Sequence, residues 1–234
     1  ASESLNNVRG PLRVGCLDTL APMLTPELVF GFGRAFPGVR ITLVEGNHEQ
    51  LLKQLRSADI DIALTYDLVP ANDIAFTSLA QLPPYVMVGE HHPLATQSAV
   101  TIEDLVAMPM VLLDMPWSRE YFLGLFSEAG VAPNVVMRSS NMEVVRAMVA
   151  NGVGFGIANV RPKAHFSQDG KRLIRVRLAG VNKPMQLGYA TVANTQHSMV
   201  VNAFAERCRM FISDQYNPGM AAPSYFDPQV VRVA

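Results

Sequence analysis

The sequence predicts an α/β protein built as two Rossmann-like lobes joined by two crossing strands. Three observations carry that expectation. From Val14 to Leu64 strand-like and helix-like segments alternate as β-α-β-α-β, the pattern of a parallel sheet with crossover helices. The alternation restarts after the double proline Pro83-Pro84. Finally, the chain ends in a strand and a helix that have no room in a second lobe whose own sheet is complete.

Each element has its own warrant. Val14-Gly15-Cys16-Leu17 reads as a short buried strand. Leu24, Leu28, Phe32 and Phe36 recur every four residues and share one helix face, and Pro37-Gly38 stops that helix. Residues 39–44 alternate as a half-buried strand, and Leu51, Leu52 and Leu55 mark a second helix. Residues 60–64 form a third strand, followed by a turn-rich interval from Pro70 to Asp73. Beyond it, Tyr85-Val86-Met87-Val88-Gly89 is a strand, Thr101 caps a short helix through Ala107, and residues 110–113 are a strand. Ser118 is expected to cap a helix carrying Phe122, Leu125 and Phe126, ended by Gly130. After a strand at 135–137, Asn141 caps a helix carrying Val145, Met148 and Val149, ended by Gly152. Strands follow at 155–158, 173–178 and 186–192, and a last helix carries Val200, Phe204, Phe211 and Ile212. The crossing strands are placed near 82–86 and 188–192. Ligand is then expected between the lobes, where strand carboxyl ends and helix N-termini point inward.

Composition narrows the function classes. The chain has 234 residues, 49% apolar and 17% charged, with 19 Lys+Arg against 20 Asp+Glu. So apolar a chain is not disordered as a whole. A net charge of −1 excludes a basic nucleic-acid module, which needs surplus cations to meet phosphates. No charge-free apolar run reaches the roughly 18 residues that cross a bilayer. No signal peptide is visible at Ala1. Cys16 and Cys208 make no disulfide framework and read as reduced, buried small hydrophobes of a cytoplasmic protein. There are no internal repeats or low-complexity tracts. The tail from Asn217 to Ala234 is rich in Pro, Gly and Ala, yet Tyr225-Phe226 and Val230-Val231 offer it apolar anchors for docking on its own domain or on a neighbouring chain.

Catalytic patterns are missing. His48, His91, His92, His165 and His197 show no metal-ligand spacing, and neither a Gly-x-Ser-x-Gly elbow nor a Walker loop occurs. Gly152-Val153-Gly154-Phe155-Gly156 follows a helix and precedes a strand, the reverse of a phosphate loop, and reads as a C-cap followed by close packing. No metal or cofactor is expected. What stands out is small polar residues at five strand-to-helix junctions: Asp18-Thr19, Asn47-His48, Thr65-Tyr66, Trp117-Ser118 and Ser140-Asn141. Each junction offers backbone N–H groups, the positive end of a helix dipole and a polar side chain. Taken singly, such residues are more simply N-caps. Five around one cleft point to a binding site, with Tyr66 and Trp117 as apolar walls.

Several ordered stretches resemble the effector-binding domain of LysR-type transcriptional regulators. They are Leu12-Arg13-Val14-Gly15-Cys16-Leu17-Asp18-Thr19-Leu20-Ala21-Pro22, Phe36-Pro37-Gly38-Val39-Arg40-Ile41-Thr42-Leu43-Val44-Glu45-Gly46, residues 55–64, His92-Pro93-Leu94-Ala95 and residues 149–157. Singly they are weak; their order and spacing are specific. The resemblance implies the type 2 periplasmic-binding-protein fold, with 1–10 as the end of a linker region. It places lobe I at 11–84 plus 189–216, lobe II at 85–188, and a C-terminal tail at 217–234. It also implies an N-terminal winged helix-turn-helix domain that meets promoter DNA and is absent from this sequence. The implied effector contacts are Asp18, Thr19, Asn47, His48, Thr65, Tyr66, Pro116, Trp117, Ser118 and Asn141, to which this sequence adds Asn159 as a candidate. Asn159 and Arg161 depart from the family's aliphatic pattern after Gly156-Ile157. Asp18 counts against a purely anionic effector and leaves room for an amine or hydroxyl.

The reading that follows is a non-enzymatic sensor of a small-molecule effector, self-associating as a homodimer or homotetramer through edges such as 40–44, with no membrane partner. The alternative is a periplasmic solute-binding protein of a transporter. An enzyme on this fold is disfavoured, because a Thr-Arg-Phe catalytic stretch is absent and Cys208 sits mid-helix among apolar neighbours.

Overall fold

The computed structural model describes residues 8–68 and 71–222. In chain order it contains β1 (Gly10–Leu17), α1 (Ala21–Thr25), a π-helical stretch (Pro26–Phe30), α2 (Gly31–Ala35), β2 (Val39–Gly46), α3 (His48–Arg56), β3 (Ile62–Tyr66) and β4 (Ile74–Leu82). Next come β5 (Tyr85–Gly89), β6 (Ala99–Val100), α4 (Ile102–Leu105), β7 (Pro109–Leu113), α5 (Ser118–Glu128), β8 (Asn134–Ser139), α6 (Met142–Ala150), β9 (Gly156–Ala158) and β10 (Leu173–Leu178). The chain closes with β11 (Met185–Val192) and α7 (Met199–Phe211). It divides into two compact units, Ala1–Leu82 with Gln186–Ala234, and Pro83–Met185.

The first unit is one five-stranded sheet in the order β2-β1-β3-β11-β4. β1 pairs parallel with both β2 and β3, so all three carboxyl ends lie at one sheet edge. β11 then enters antiparallel to β3, with Leu187 opposite Tyr66. The four-residue repeat read from the sequence does face the core: Leu24, Leu28 and Phe32 are fully buried, and the Phe32 ring meets Phe204 of α7 edge-on at 5.3 Å. The predicted single helix is interrupted, however. Pro26 has no N–H to donate backwards, and the next turn widens to π geometry. Arg207 of α7 satisfies the loosened carbonyls, donating to Glu27 O at 2.7 Å and Leu28 O at 3.0 Å. Gly31 lies under that guanidinium, where a Cβ would collide with it.

Three further expectations need correction. β4 was not read from the sequence, because as an edge strand it shows a mixed burial pattern instead of a continuous apolar run. Thr65 and Tyr66 do not follow β3; they are its last two residues, held by pairing with Gly188 and Leu187. Ser118 does not cap α5. The cap position is Trp117, and Ser118 is the first helical residue.

The second unit holds a four-stranded sheet, β6-β10-β5-β9, and the parallel pair β7-β8, linked through the Met110–Phe155 bridge. Thr101 caps α4 in a reciprocal box with Asp104. Asn141 caps α6, and just past its C-cap Asn151 comes Gly152, whose φ of +84° suits glycine.

Cys16 and Cys208 are both free and fully buried. Burial pushes the Cys208 thiol up to about 12 and the Cys16 thiol up as well. The start of the tail packs on the first unit: Tyr216 donates to Glu27 Oε2 at 2.7 Å, and Asn217 and Met220 are buried. Residues 1–7, Pro70, and the proposed anchors Tyr225, Phe226, Val230 and Val231 lie outside the described residues. Among the described residues no helix is long and apolar enough to cross a membrane.

Candidate functional site

The five junctions have different local fates. Asp18 and Thr19 form the turn between β1 and α1, and α1 begins without a side-chain cap. Burial raises the Asp18 carboxyl above its ordinary range, and nearby Glu45 adds to the shift. Asn47 is spent on its own helix: Oδ1 accepts from Gln50 N at 3.0 Å, while Gln50 Oε1 accepts from Asn47 N at 2.9 Å. His48, one residue later, is only 4% exposed although it starts a helix. Its Nδ1 lies 2.9 Å from the hydroxyl of Thr65, itself 1% exposed. Burial lowers the His48 pKa against the opposing pull of Asp67, so the ring is neutral at pH 7. Its Nε2 has no partner among the described residues.

His48, Thr65 and Tyr66 come together on a cavity of about 310 Å³ within the first unit. Asp67 and Asn72 supply further polar groups, and Leu52, Ile74, Phe76 and Ala190 supply apolar wall. Asp18, Thr19 and Asn47 do not line it. Sequence reasoning missed Ile74 and Phe76 because it missed β4. It missed Asp67 although that residue directly follows the Thr65-Tyr66 pair, which was the available signal. A larger, apolar groove of about 590 Å³ lies elsewhere on this unit, along Pro26, Val29 and Phe30 and the β2 residues Val39, Ile41 and Leu43. No predicted site residue touches it.

In the second unit the candidates are tied into their own structure. Pro116-Trp117-Ser118 is a γ-turn: Ser118 N donates to Pro116 O at 2.9 Å, and Trp117 takes φ +67° and ψ −36°. A non-glycine residue in that region is strained by about 1–2 kcal/mol. Asn141 Oδ1 accepts from Glu143 N at 2.8 Å and Val144 N at 3.4 Å. Asn159 is buried and donates to the Tyr121 hydroxyl at 3.0 Å; that hydroxyl donates to Lys183 O at 2.7 Å. Burial takes the Tyr121 phenol up to about 12. The loop after Asn159 is pinned by Arg175 on Pro162 O at 2.9 Å and by Arg146 on Ala164 O and Phe166 O.

Parallel strands whose carboxyl ends meet helix starts, with a polar cavity beside one of them, are the build of α/β ligand-binding proteins. The chain belongs to the family of LysR substrate binding domains, whose model matches residues 6–212. The transcriptional dual regulator GltC of Bacillus subtilis is 28% identical over 216 residues, 87% of this chain and 71% of that protein. Among solved structures, HinK, a LysR family transcriptional regulator from Pseudomonas aeruginosa, is 33% identical with a TM-score of 0.84, covering 91% of this chain and 74% of that one. The C-terminal domain of a probable LysR family regulator from Rhodococcus is 31% identical with a TM-score of 0.82, covering 85% and 98%. The chain spans about half the length of several curated relatives it matches.

Proposed function

We propose that this chain is the effector-binding part of a LysR-type transcriptional regulator, and that it binds a small metabolite without converting it. The observation that supports this most is a cavity walled by a buried, neutral imidazole in a chain of this family. Thr65 stands next to His48 as a nucleophile beside a base would, but its hydroxyl is buried, which favours holding a ligand over attacking one. The effector contacts proposed are His48, Thr65 and Tyr66, the predicted residues that line one cavity of the first unit. Ligand binding shifts the populations of two conformations, and promoter DNA is met by another part of the regulator, in the cytoplasm. Self-association uses β2, an edge strand of its sheet among the described residues, and the apolar groove beside it, where Phe30 is 67% exposed.

A thermal-shift screen against a metabolite library tests the reading. A ligand at a hundredfold excess over its Kd stabilises by about 2.7 kcal/mol, which raises Tm by several degrees. The reading expects at least one such compound, with the shift lost in Thr65→Val. A screen in which no compound stabilises the chain contradicts it.

A further inference from the structure

We infer that the cavity beside His48 takes a small organic amine: one ammonium group, carried on a compact apolar body, paired with Asp67. The inference rests on the reading that the chain binds a small metabolite, and it adds the charge class of that ligand.

The electrostatics of the sheet edge carry the argument. β1, β2 and β3 run parallel, so the residues at their carboxyl ends share one side of the first unit. Those ends carry Asp18 just after β1, Glu45 next to the last residue of β2, and Asp67 just after β3. None of the three has an ion pair among the described residues. Asp67 is the charged residue of the cavity wall, and neither Lys nor Arg lines it. A carboxylate ligand would enter with no cation to meet it, and a desolvated, unpaired anion is strongly disfavoured. The dipole of α3 would ordinarily favour an anion, but Asn47 already occupies that helix start with its capping box. His48 does not restore positive charge, because burial keeps its ring neutral.

The remaining wall fits the other half of such a molecule. Leu52, Ile74, Phe76 and Ala190 offer apolar surface, and the aromatic ring among them is of the kind that attracts an ammonium. The volume, about 310 Å³, is at the small end of ligand pockets and favours a compact body over an extended one. The buried Nε2 of His48, which has no partner among the described residues, is a polar group at this wall for which a ligand hydroxyl or a water is the expected partner.

Three probes with one phenyl body separate the classes: benzylamine, benzyl alcohol and benzoate, titrated calorimetrically into the chain at low salt. The expected order is benzylamine, then benzyl alcohol, then benzoate, with about tenfold or more between the first and the last. Asp67→Asn removes the preference, and Asp67→Lys inverts it; both changes sit on an exposed side chain and leave folding intact. Benzoate binding as tightly as benzylamine, an amine affinity untouched by Asp67→Asn, or no binding by any of the three overturns the inference. If the probes fail while the metabolite screen returns a stabilising compound, the amine class is wrong and the sensing reading stands. If the screen is empty as well, both fall.

Discussion

Asn141 and His48 both stand at helix starts, one in each unit, Asn141 as the cap of α6 and His48 as the first residue of α3, and they do different work. Asn141 turns its side-chain oxygen onto the first N–H groups of α6, so its polarity is consumed by the helix it begins. His48 leaves capping to Asn47 and is folded under the sheet edge, where it meets Thr65 and a cavity. The comparison extends to the units as wholes. In the second unit Trp117, Ser118 and Asn159 are bound up in a γ-turn and a buried hydrogen-bond chain through Tyr121. In the first, His48, Thr65 and Tyr66 line one cavity together. A polar residue at a helix start is a binding candidate only when another residue already satisfies that helix.

Substitutions at the two sites should therefore separate stability from binding. The largest effect is expected for Thr65→Val. It keeps the shape but leaves His48 Nδ1 buried without a partner, costing about 1–3 kcal/mol and weakening ligand binding, whereas Thr65→Ser preserves both. Equilibrium unfolding in urea with a parallel ligand titration reads this. Asn141→Ala removes a cap and should cost about 1 kcal/mol, with ligand affinity unchanged. Should Asn141→Ala instead abolish binding at unaltered stability, the contrast between the units is wrong.

A pH series sharpens the same point. Burial depresses the folded-state pKa of His48, so below the ordinary histidine pKa the unfolded chain binds more protons than the folded one. This group's contribution is fully present above about pH 6.5 and is lost as pH falls from there toward the depressed folded value. His48→Gln should flatten that part of the stability profile. His92, also lowered by burial, contributes in the same direction and remains in the variant as a background slope. A smaller effect is expected at Trp117: glycine there relieves the strained backbone, for a gain of at most about 1 kcal/mol in thermal unfolding. Cys16 and Cys208 should resist thiol reagents in the folded chain and react on unfolding, because neither buried thiol yields thiolate near neutral pH.

Much of this architecture was legible in the residues. The spacing of Leu24, Leu28 and Phe32, the alternation in β2 and the caps Thr101 and Asn141 follow from local rules that the tertiary structure does not override. β4 was illegible because an edge strand answers to one neighbour and one covered face, and Thr77, Ser78 and Gln81 break its apolar signal. The apolar run of β3 ends at Leu64, yet pairing with β11 extends the strand through Thr65 and Tyr66, a contact between residues far apart in the chain. The π turn needed Arg207, which lies well over a hundred residues downstream of the carbonyls it serves. The candidate site split along the same line. His48, Thr65 and Tyr66 announce themselves as polar residues at junctions, whereas the walls made by Ile74, Phe76 and Ala190 depend on which strands lie side by side.

The most direct test of the account is amide hydrogen exchange of the chain with and without the most stabilising compound of the metabolite screen. The account predicts slowed exchange at residues 48–52, 65–67, 72–76 and around 190, the backbone that encloses His48. Slowing confined to residues 25–43 along the apolar groove, or to the second unit alone, would contradict it.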